Sequence, residues 1–191
     1  IIMSKEFYIS DLHFSHANAI GFDNRPWKDI NEMNEEIIRI WNERVTDEDD
    51  VWILGDISWA GPYETRCLIA RLRGKKHWVT GNHDYKLLKN EELCRQFVDV
   101  YEGYHKHIDK AGNTVILSHF PIFMFDGVYH GHTVHLYGHV HTNQPDCDMI
   151  EKWKKEYESV VGHEVKMYNV GIMCPGMEWG PKTLDEIIGG K

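Results

Sequence analysis

Five short polar clusters, each placed directly after an apolar run, constrain the fold of this chain more than any other feature. The apolar runs are short and rich in β-branched and aromatic residues, as is typical of β-strands. The clusters that follow them are Asp11-Leu12-His13, Gly55-Asp56, Gly81-Asn82-His83-Asp84, Ser118-His119 and Gly138-His139-Val140-His141. Because the strands of an α/β sheet end at a common edge where ligands bind, we expect these side chains to converge in space.

The side chains in these clusters are of the types that bind divalent metal ions. Carboxylate, imidazole and amide donors together suit Mn²⁺, Fe²⁺ or Zn²⁺ better than Mg²⁺ alone or a structural zinc held by thiolates. Alternate residues of an extended segment share a face. We therefore expect His139 and His141, like Asp11 and His13, to point into one cavity. The pattern favours a two-metal hydrolase.

The length and composition indicate one globular unit. The chain has 191 residues, of which 42% are hydrophobic, and we predict a single domain over residues 1–191. No apolar run approaches the roughly 20 residues of a membrane span, so no membrane partner is expected. The first six residues are too few and too soon charged for a signal peptide. Ile1 and Ile2 before Met3 are either a cloning remnant or native, which the sequence leaves open.

Cysteine usage and net charge restrict the cellular context. The four cysteines show no C-x-x-C spacing, which favours reduced thiols in a cytoplasmic protein. The formal net charge is −9, part of which comes from the Asp-rich clusters. An acidic surface does not attract long polyanions such as duplex DNA, so nucleic acid is not the expected partner. A local basic patch would still attract nucleic acid despite the negative net charge.

Alternating strand and helix patterns predict an α/β arrangement. Strands are predicted at residues 5–10, 50–55, 75–80, 133–137 and 165–172, with an antiparallel hairpin formed by 99–109 and 113–118. Helices are predicted at 30–44, after Pro62, at 86–98, at 148–161 and after Thr183. Asp29 with Glu32, and Thr183 with Glu186, match the capping-box pattern. Residues 14–28, 120–132 and 173–182 are predicted loops.

The ordered series D-x-H, G-D, G-N-H-D, S-H-F-P and G-H-V-H, over residues 11 to 141, resembles the calcineurin-like metallophosphoesterase superfamily. The resemblance implies an α/β (α+β) fold, a four-layer α/β/β/α sandwich with two mixed β-sheets flanked by helices. The segment after Asp56 lacks the second Asp and the Arg of the phosphoprotein phosphatase signature G-D-x-x-D-R-G. The chain is therefore closer to small bacterial and phage-type phosphoesterases, many of which act on phosphodiesters or nucleotides.

The resemblance also implies a dinuclear site. One ion would be held by Asp11, His13 and His141, the other by Asn82, His119 and His139, with Asp56 bridging both. Mn²⁺ is the expected metal, with Fe²⁺ or Fe³⁺, Zn²⁺ and Ni²⁺ as alternatives. A hydroxide shared by the two ions would attack phosphorus, and His83 would donate a proton to the leaving oxygen. Asp84 is expected to orient an imidazole. The alternative for His83 is a structural histidine in a turn.

Two residues outside the motifs are candidates for substrate binding. His16 lies three residues past His13 and could contact substrate or be a surface histidine. Arg25 offers a planar fork for phosphate, and its alternative is a salt bridge with Asp23 or Asp29. Aromatic residues such as Trp59 could stack on a nucleobase, although core packing is their more common use.

The expected function is a cytoplasmic, dimetal-dependent phosphoesterase acting on a small phosphorylated substrate, a phosphodiester or a small nucleotide. One alternative is a nuclease that processes DNA or RNA, although such relatives carry additional DNA-binding domains. Another is a non-catalytic interaction module on the same fold, which the intact His83 and the full ligand set oppose. The physiological substrate, the preference for diesters over monoesters, the native metal and the oligomeric state are left open by the sequence.

Overall fold

The first β-sheet contains four parallel strands. The computed structural model describes residues 4–189, so Ile1, Ile2 and the expected start at Met3 lie outside the described residues. The sheet has the order β1 (Glu6–Ile9), β2 (Asp50–Leu54), β3 (Lys75–Val79) and β4 (Asp99–Tyr101). Each neighbouring pair is parallel, and one isolated antiparallel bridge joins Tyr8 to Lys182. All four strands therefore end at the same edge.

The second β-sheet is mixed. Its order is β5 (Tyr104–Ile108), β6 (Thr114–Ser118), β7 (Thr133–Tyr137) and β8 (Met167–Asn169). The first two strands form an antiparallel hairpin, and the remaining pairs are parallel. The carboxyl ends of β6 and β7 carry the fourth and fifth polar clusters of the sequence.

In the part of the chain that the structure describes, six α-helices connect and flank the sheets. They are α1 (Ala17–Phe22), α2 (Ile30–Arg44), α3 (Pro62–Ala70), α4 (Glu91–Cys94), α5 (Gln144–Val161) and α6 (Leu184–Gly189). Helix α2 has the predicted bounds, and the Asp29 carboxylate accepts hydrogen bonds from the N–H groups of Asn31 and Glu32. The Glu32 carboxylate accepts from Lys28 N–H, one residue earlier than a capping box predicts.

The packing of the two sheets produces the four layers. Val115 and Leu117 of β6 belong to the same buried cluster as Ile53 of β2 and Trp41 of α2. The intervening residue of β6, Ile116, belongs to a second cluster that includes Ile150 of α5. Because strand residues alternate between faces, the inner faces of the sheets share one core and α5 covers the outer face of the second sheet. The predicted α/β/β/α sandwich is confirmed, although strands β1 to β4 pair in parallel instead of forming the mixed sheet that was expected.

Several predicted elements differ from the structure. The helix predicted at 86–98 is wrong, since that region contains a single 3₁₀ turn at Asp84–Lys86 and the short helix α4. The Asn90 side chain accepts a hydrogen bond from Leu93 N–H, so a new helix begins after it. The predicted loop at 14–28 contains helix α1. Helix α5 begins four residues before the predicted residue 148. Strand β8 is shorter than the predicted strand at 165–172.

The segment predicted as one strand at 99–109 belongs to two sheets. Residues 99–101 form β4, parallel to β3, while residues 104–108 form β5, antiparallel to β6. Gly103 between them has a φ of 77°, a left-handed conformation that favours glycine. The chain therefore passes from one sheet to the other at this position. Among residues 4–189, no helix combines the length and the apolar composition that a membrane crossing requires.

Candidate metal centre

The loops after β1 and β2 run side by side at the carboxyl edge of the first sheet. The N–H of Asp11 donates to the carbonyl of Gly55 at 3.1 Å, and the N–H of His13 donates to the carbonyl of Asp56 at 3.0 Å. These bonds continue the parallel pairing beyond the ends of the strands. They bring the first two polar clusters together, as the sequence predicted.

Left-handed backbone recurs at the residues of this edge. Asp11, His13, Asp56, His139 and His141 have φ values of 56°, 50°, 52°, 70° and 49°. Such conformations cost L-residues of the order of 1–3 kcal/mol each and persist only where the surroundings impose them. Asp11 and His13 point to the same site, as expected, but neither they nor His139 and His141 are alternate residues of a regular strand. Turns aim their side chains into the site.

One group of three potential ligand atoms consists of Asp11, His13 and His141, all within 4.8 Å of one another. The Nε2 atoms of His13 and His141 lie 3.2 Å apart. Asp11 Oδ1 lies 3.8 Å from His13 Nε2 and 3.5 Å from His141 Nε2. Three potential metal-ligand atoms therefore lie close enough together to hold one ion.

A second group consists of Asp11, Asp56 and His119, again within 4.8 Å. His119 Nε2 lies 3.4 Å from Asp56 Oδ2 and 3.0 Å from Asn82 Oδ1, while its Nδ1 bonds to the carbonyl of Leu54 at 2.8 Å. The Asn82 amide oxygen therefore lies beside the His119 imidazole. His139 is in neither group of three, and its ring centroid lies 5.1 Å from that of His119.

The electrostatics of these groups suit a cation. Burial lowers the pKa of His13 to about 2, so its imidazole is neutral and offers a lone pair. Burial alone would raise the pKa of Asp56, but the hydrogen bond and charge of His119 lower it to about 2. Burial raises the pKa of Asp11, because a carboxylate charge there is unfavourable without a compensating cation.

The Asp11 carboxylate supplies a direct test of whether the residues fit a metal ion. Its Oδ2 accepts a hydrogen bond from His139 N–H at 3.0 Å, whereas its Oδ1 is buried and has no hydrogen-bond partner among residues 4–189. Buried polar atoms are normally paired, and an unpaired oxygen facing two imidazole nitrogens calls for a ligand. The donor set of carboxylate, imidazole and amide fits divalent first-row ions. The residues present therefore fit a divalent metal ion.

His83 stands at the open side of the site. Its backbone N–H donates to Asp56 Oδ1 at 3.0 Å, and its Nε2 lies 3.9 Å from Asp56 Oδ2. The side chain is 44% exposed, so its imidazole is accessible to solvent. Its ring lies 4.4 Å from that of Trp59, and His16 stacks on the same indole at 4.0 Å with an interplanar angle of 4°.

Asp84 does not orient an imidazole, so that prediction is wrong. Its carboxylate is fully buried and accepts hydrogen bonds from backbone N–H groups and from an indole. The donors are Asp56 N at 2.8 Å, Ile57 N at 3.0 Å, Gly81 N at 2.7 Å and Trp78 Nε1 at 3.2 Å. Because its carboxylate accepts these hydrogen bonds, Asp84 links the loop after β2 to the loop after β3.

Arg25 does not offer its guanidinium to a phosphate, so that prediction is also wrong. Its side chain is buried and binds Asp23 in an ion pair of 2.8 Å, the alternative that the sequence allowed. Both side chains are buried, and the Arg25 guanidinium donates to the carbonyls of Asp11 and Leu12 in the loop after β1. Sequence reasoning missed the role of Asp23, whose Oδ1 lies 2.7 Å from His141 Nδ1. No local pattern relates Asp23 to a residue so distant along the chain.

Fold and site together define a class of protein, an α/β/β/α sandwich with a candidate divalent-metal centre at the edge where strands of both sheets end. A family model of calcineurin-like phosphoesterases matches residues 7–167. The chain is 36% identical over 188 residues to an uncharacterized protein of Methanocaldococcus jannaschii, covering 97% of this chain and 90% of that protein. The chain therefore belongs to the calcineurin-like phosphoesterase family, and metal-dependent hydrolysis of phosphate esters is the general activity that this family supports.

The chain is also similar to two further proteins. The Gene 66 protein of Mycobacterium phage L5 is 31% identical over 135 residues, covering 62% of this chain and 64% of the phage protein. A solved structure of a protein of unknown function from Aquifex aeolicus matches with a TM-score of 0.71 at 24% identity, covering 98% of this chain and 99% of that chain. The structural likeness shows the fold alone.

Proposed function

We propose that this protein is a dimetal-dependent phosphodiesterase that acts on small phosphodiesters or nucleotides. The observation that carries the proposal is the convergence of Asp11, Asp56 and three imidazoles around an unpaired buried carboxylate oxygen. Asp11, His13 and His141 would hold one ion, Asn82, His119 and His139 the other, and Asp56 would contact both. Two divalent ions, when bound, would supply Lewis acidity, which neutralises charge on phosphoryl oxygens and lowers the pKa of water.

The chain's own groups would orient the substrate and supply a proton. His83 would donate from its imidazole to the leaving oxygen as the P–O bond breaks, which requires that it be protonated and accessible. Its exposed side chain and its backbone hydrogen bond to Asp56 support this role. Asp84 would keep the loops of Asp56 and His83 in register, because it accepts hydrogen bonds from both loops.

The aromatic groups beside His83 support a nucleotide as substrate. The Trp59 side chain is 47% exposed although it is large and apolar. A leaving group protonated by His83 would lie next to this indole, and a nucleobase would gain stacking energy there. His16, stacked on Trp59 and 3.3 Å from His13 Nδ1, would fix the orientation of the indole. We also propose a cytoplasmic location, which the free thiols of Cys67, Cys94, Cys147 and Cys174 support.

The proposal is tested by turnover of bis-(p-nitrophenyl) phosphate with Mn²⁺, comparing the wild-type protein with His83→Ala. We expect metal-dependent hydrolysis of this diester by the wild type. On a diester with an alkoxide leaving group, which needs the proton that p-nitrophenolate does not, we expect a loss of about 10²–10⁴-fold in kcat in the variant. His132→Ala, which removes an exposed imidazole outside the site, is the matched control. Absence of metal-dependent turnover in the wild type would favour a non-catalytic module.

The substrate class is tested with a panel of mono-, di- and cyclic phosphates under the same conditions. The expected ratio of kcat/KM for diesters to that for monoesters exceeds one. A clear preference for monoesters would overturn the diester part of the proposal while leaving the metal-dependent chemistry intact.

A further inference from the structure

Asp23 lies behind His141, on the side away from the candidate metal position. Its Oδ1 accepts a hydrogen bond from His141 Nδ1 at 2.7 Å, and the Asp23 side chain is 1% exposed. A carboxylate at this nitrogen keeps the proton on Nδ1 and leaves the lone pair on Nε2. That Nε2 faces Asp11 Oδ1 at 3.5 Å. The contact therefore fixes both the tautomer and the direction of the ring.

Arg25 connects Asp23 to the loop after β1, which carries Asp11 and His13, the side chains grouped with His141. Its Nε and Nη2 donate to Asp23 Oδ2 at 3.0 and 2.8 Å. Its Nη2 also donates to the carbonyl of Asp11 at 3.1 Å, and Nη1 donates to the carbonyl of Leu12 at 2.8 Å. The guanidinium is fully buried, and its charge compensates that of Asp23.

We propose that Asp23 and Arg25 are positioning residues that set the affinity of one metal position, the one formed by Asp11, His13 and His141. Neither side chain would touch the ion or the substrate. The pair joins two chain segments that contribute to the same position, since Asp23 is 118 residues from His141 along the chain. This inference rests on the proposed dimetal function, but it concerns an affinity that can be measured without turnover.

The test is titration of the metal-free protein with Mn²⁺ by calorimetry, comparing the wild type with Asp23→Asn. Loss of an outer carboxylate partner of a ligating histidine typically weakens metal binding about 10–100-fold. We expect that loss at one of two sites, with the affinity of the other site unchanged. Arg25→Lys, which keeps the charge but not the planar fork, should weaken the same site.

If Asp23 only stabilised the fold, Asp23→Asn would lower the stability of the protein without a selective loss of affinity at one metal position. Asp49→Asn is the matched control, since Asp49 is a buried carboxylate that accepts hydrogen bonds from Lys5 and Thr46, away from the site. The control should lower the thermal stability of the metal-free protein and leave both Mn²⁺ affinities intact. Should Asp23→Asn fail to fold, Asp23→Glu, which keeps the charge but displaces the carboxylate, takes its place.

Two results would overturn the inference. One is that Asp23→Asn binds two Mn²⁺ ions with wild-type affinities. The other is that it loses both sites equally, in proportion to the loss of stability of the metal-free protein. A wild-type protein that binds fewer than two ions would instead contradict the proposed dimetal function, so the two failures are distinguishable.

Discussion

The carboxylate of Asp84 lies beneath the backbone of Asp56 and accepts a hydrogen bond from its N–H at 2.8 Å. The same carboxylate accepts from the N–H groups of Ile57 and Gly81 and from the indole of Trp78. One fully buried side chain thus holds the loop that presents Asp56 against the loop that presents Asn82 and His83. The relative position of the two loops depends on it.

Asp84→Asn should reduce both stability and activity. The amide places an N–H₂ group where the native carboxylate accepts hydrogen bonds, and each buried donor left without an acceptor costs about 1–3 kcal/mol. We expect a lower free energy of unfolding in urea and a lower kcat/KM for a phosphodiester. Asp185→Asn, at an exposed position, is the control. Unchanged urea midpoint and kcat/KM in Asp84→Asn would show that the buried carboxylate does not set the loop positions.

Gly138→Ala should disrupt the metal centre through close contact. A Cβ at Gly138 would lie 2.0 Å from Ser10 Oγ and 2.2 Å from Asp11 Oδ2, distances that real Cβ atoms do not adopt. Asp11 would have to move, so Mn²⁺ affinity should fall sharply in calorimetric titration. Gly61→Ala is a matched control, because nothing lies within 4 Å of its added Cβ. Equal Mn²⁺ affinities in the two variants would contradict the prediction.

Trp59→Ala should impair nucleotide substrates more than aliphatic ones. Stacking of a base on an aromatic side chain contributes about 1–3 kcal/mol, so KM for a dinucleotide should rise roughly tenfold or more. KM for an aliphatic phosphodiester should change little, and Trp59→Phe should restore most of the nucleotide affinity. Steady-state kinetics on the two substrates provides the measurement. Equal effects on both would assign Trp59 to positioning His83 rather than to binding a base.

We predict that the Glu6 carboxylate, away from the metal centre, contributes to the free energy of unfolding and that acid removes this contribution. Burial alone would raise its pKa, but hydrogen bonds with His107, Trp52 and Lys110 lower it below the ordinary 4.5. A carboxyl group with a lower pKa in the folded state stabilises the fold above its unfolded pKa, and this contribution is lost as the pH falls through the folded pKa.

The wild type should therefore exceed Glu6→Gln in thermal stability at pH 7, and the difference should shrink as the pH falls below about 4.5. Thermal unfolding of both proteins from pH 7 to pH 3 measures it. Glu102→Gln, at an exposed position, should show a small difference that does not vary with pH. A Glu6→Gln difference that stays constant over this range would contradict the assignment.

Local sequence patterns correctly predicted the elements whose bounds depend on residues within or next to the element itself. Helix α2 has the predicted bounds because Asp29 caps it and its apolar residues recur at helical spacing. Strand β7 has the predicted bounds because its apolar run is short and bounded by turn residues. The ligand candidates were located by motif order, since each cluster follows a strand and parallel strands share an edge.

Features that depend on non-local contacts were not predictable in the same way. The pattern over residues 99–109 reads as one strand, but the turn at Gly103 assigns its halves to different sheets. Arg25 carries a guanidinium that could bind phosphate, but the folded chain buries that group in an ion pair with Asp23. The left-handed backbone at Asp11 and His13 follows from pairing with the loop after β2, which no local pattern encodes.

The most direct test of the account is anomalous diffraction from crystals of the protein grown or soaked with Mn²⁺. The account predicts two anomalous peaks, one beside Asp11, His13 and His141 and one beside Asn82 and His119, with Asp56 in contact with both ions. A single peak, or two peaks without a contact to Asp56, would contradict it.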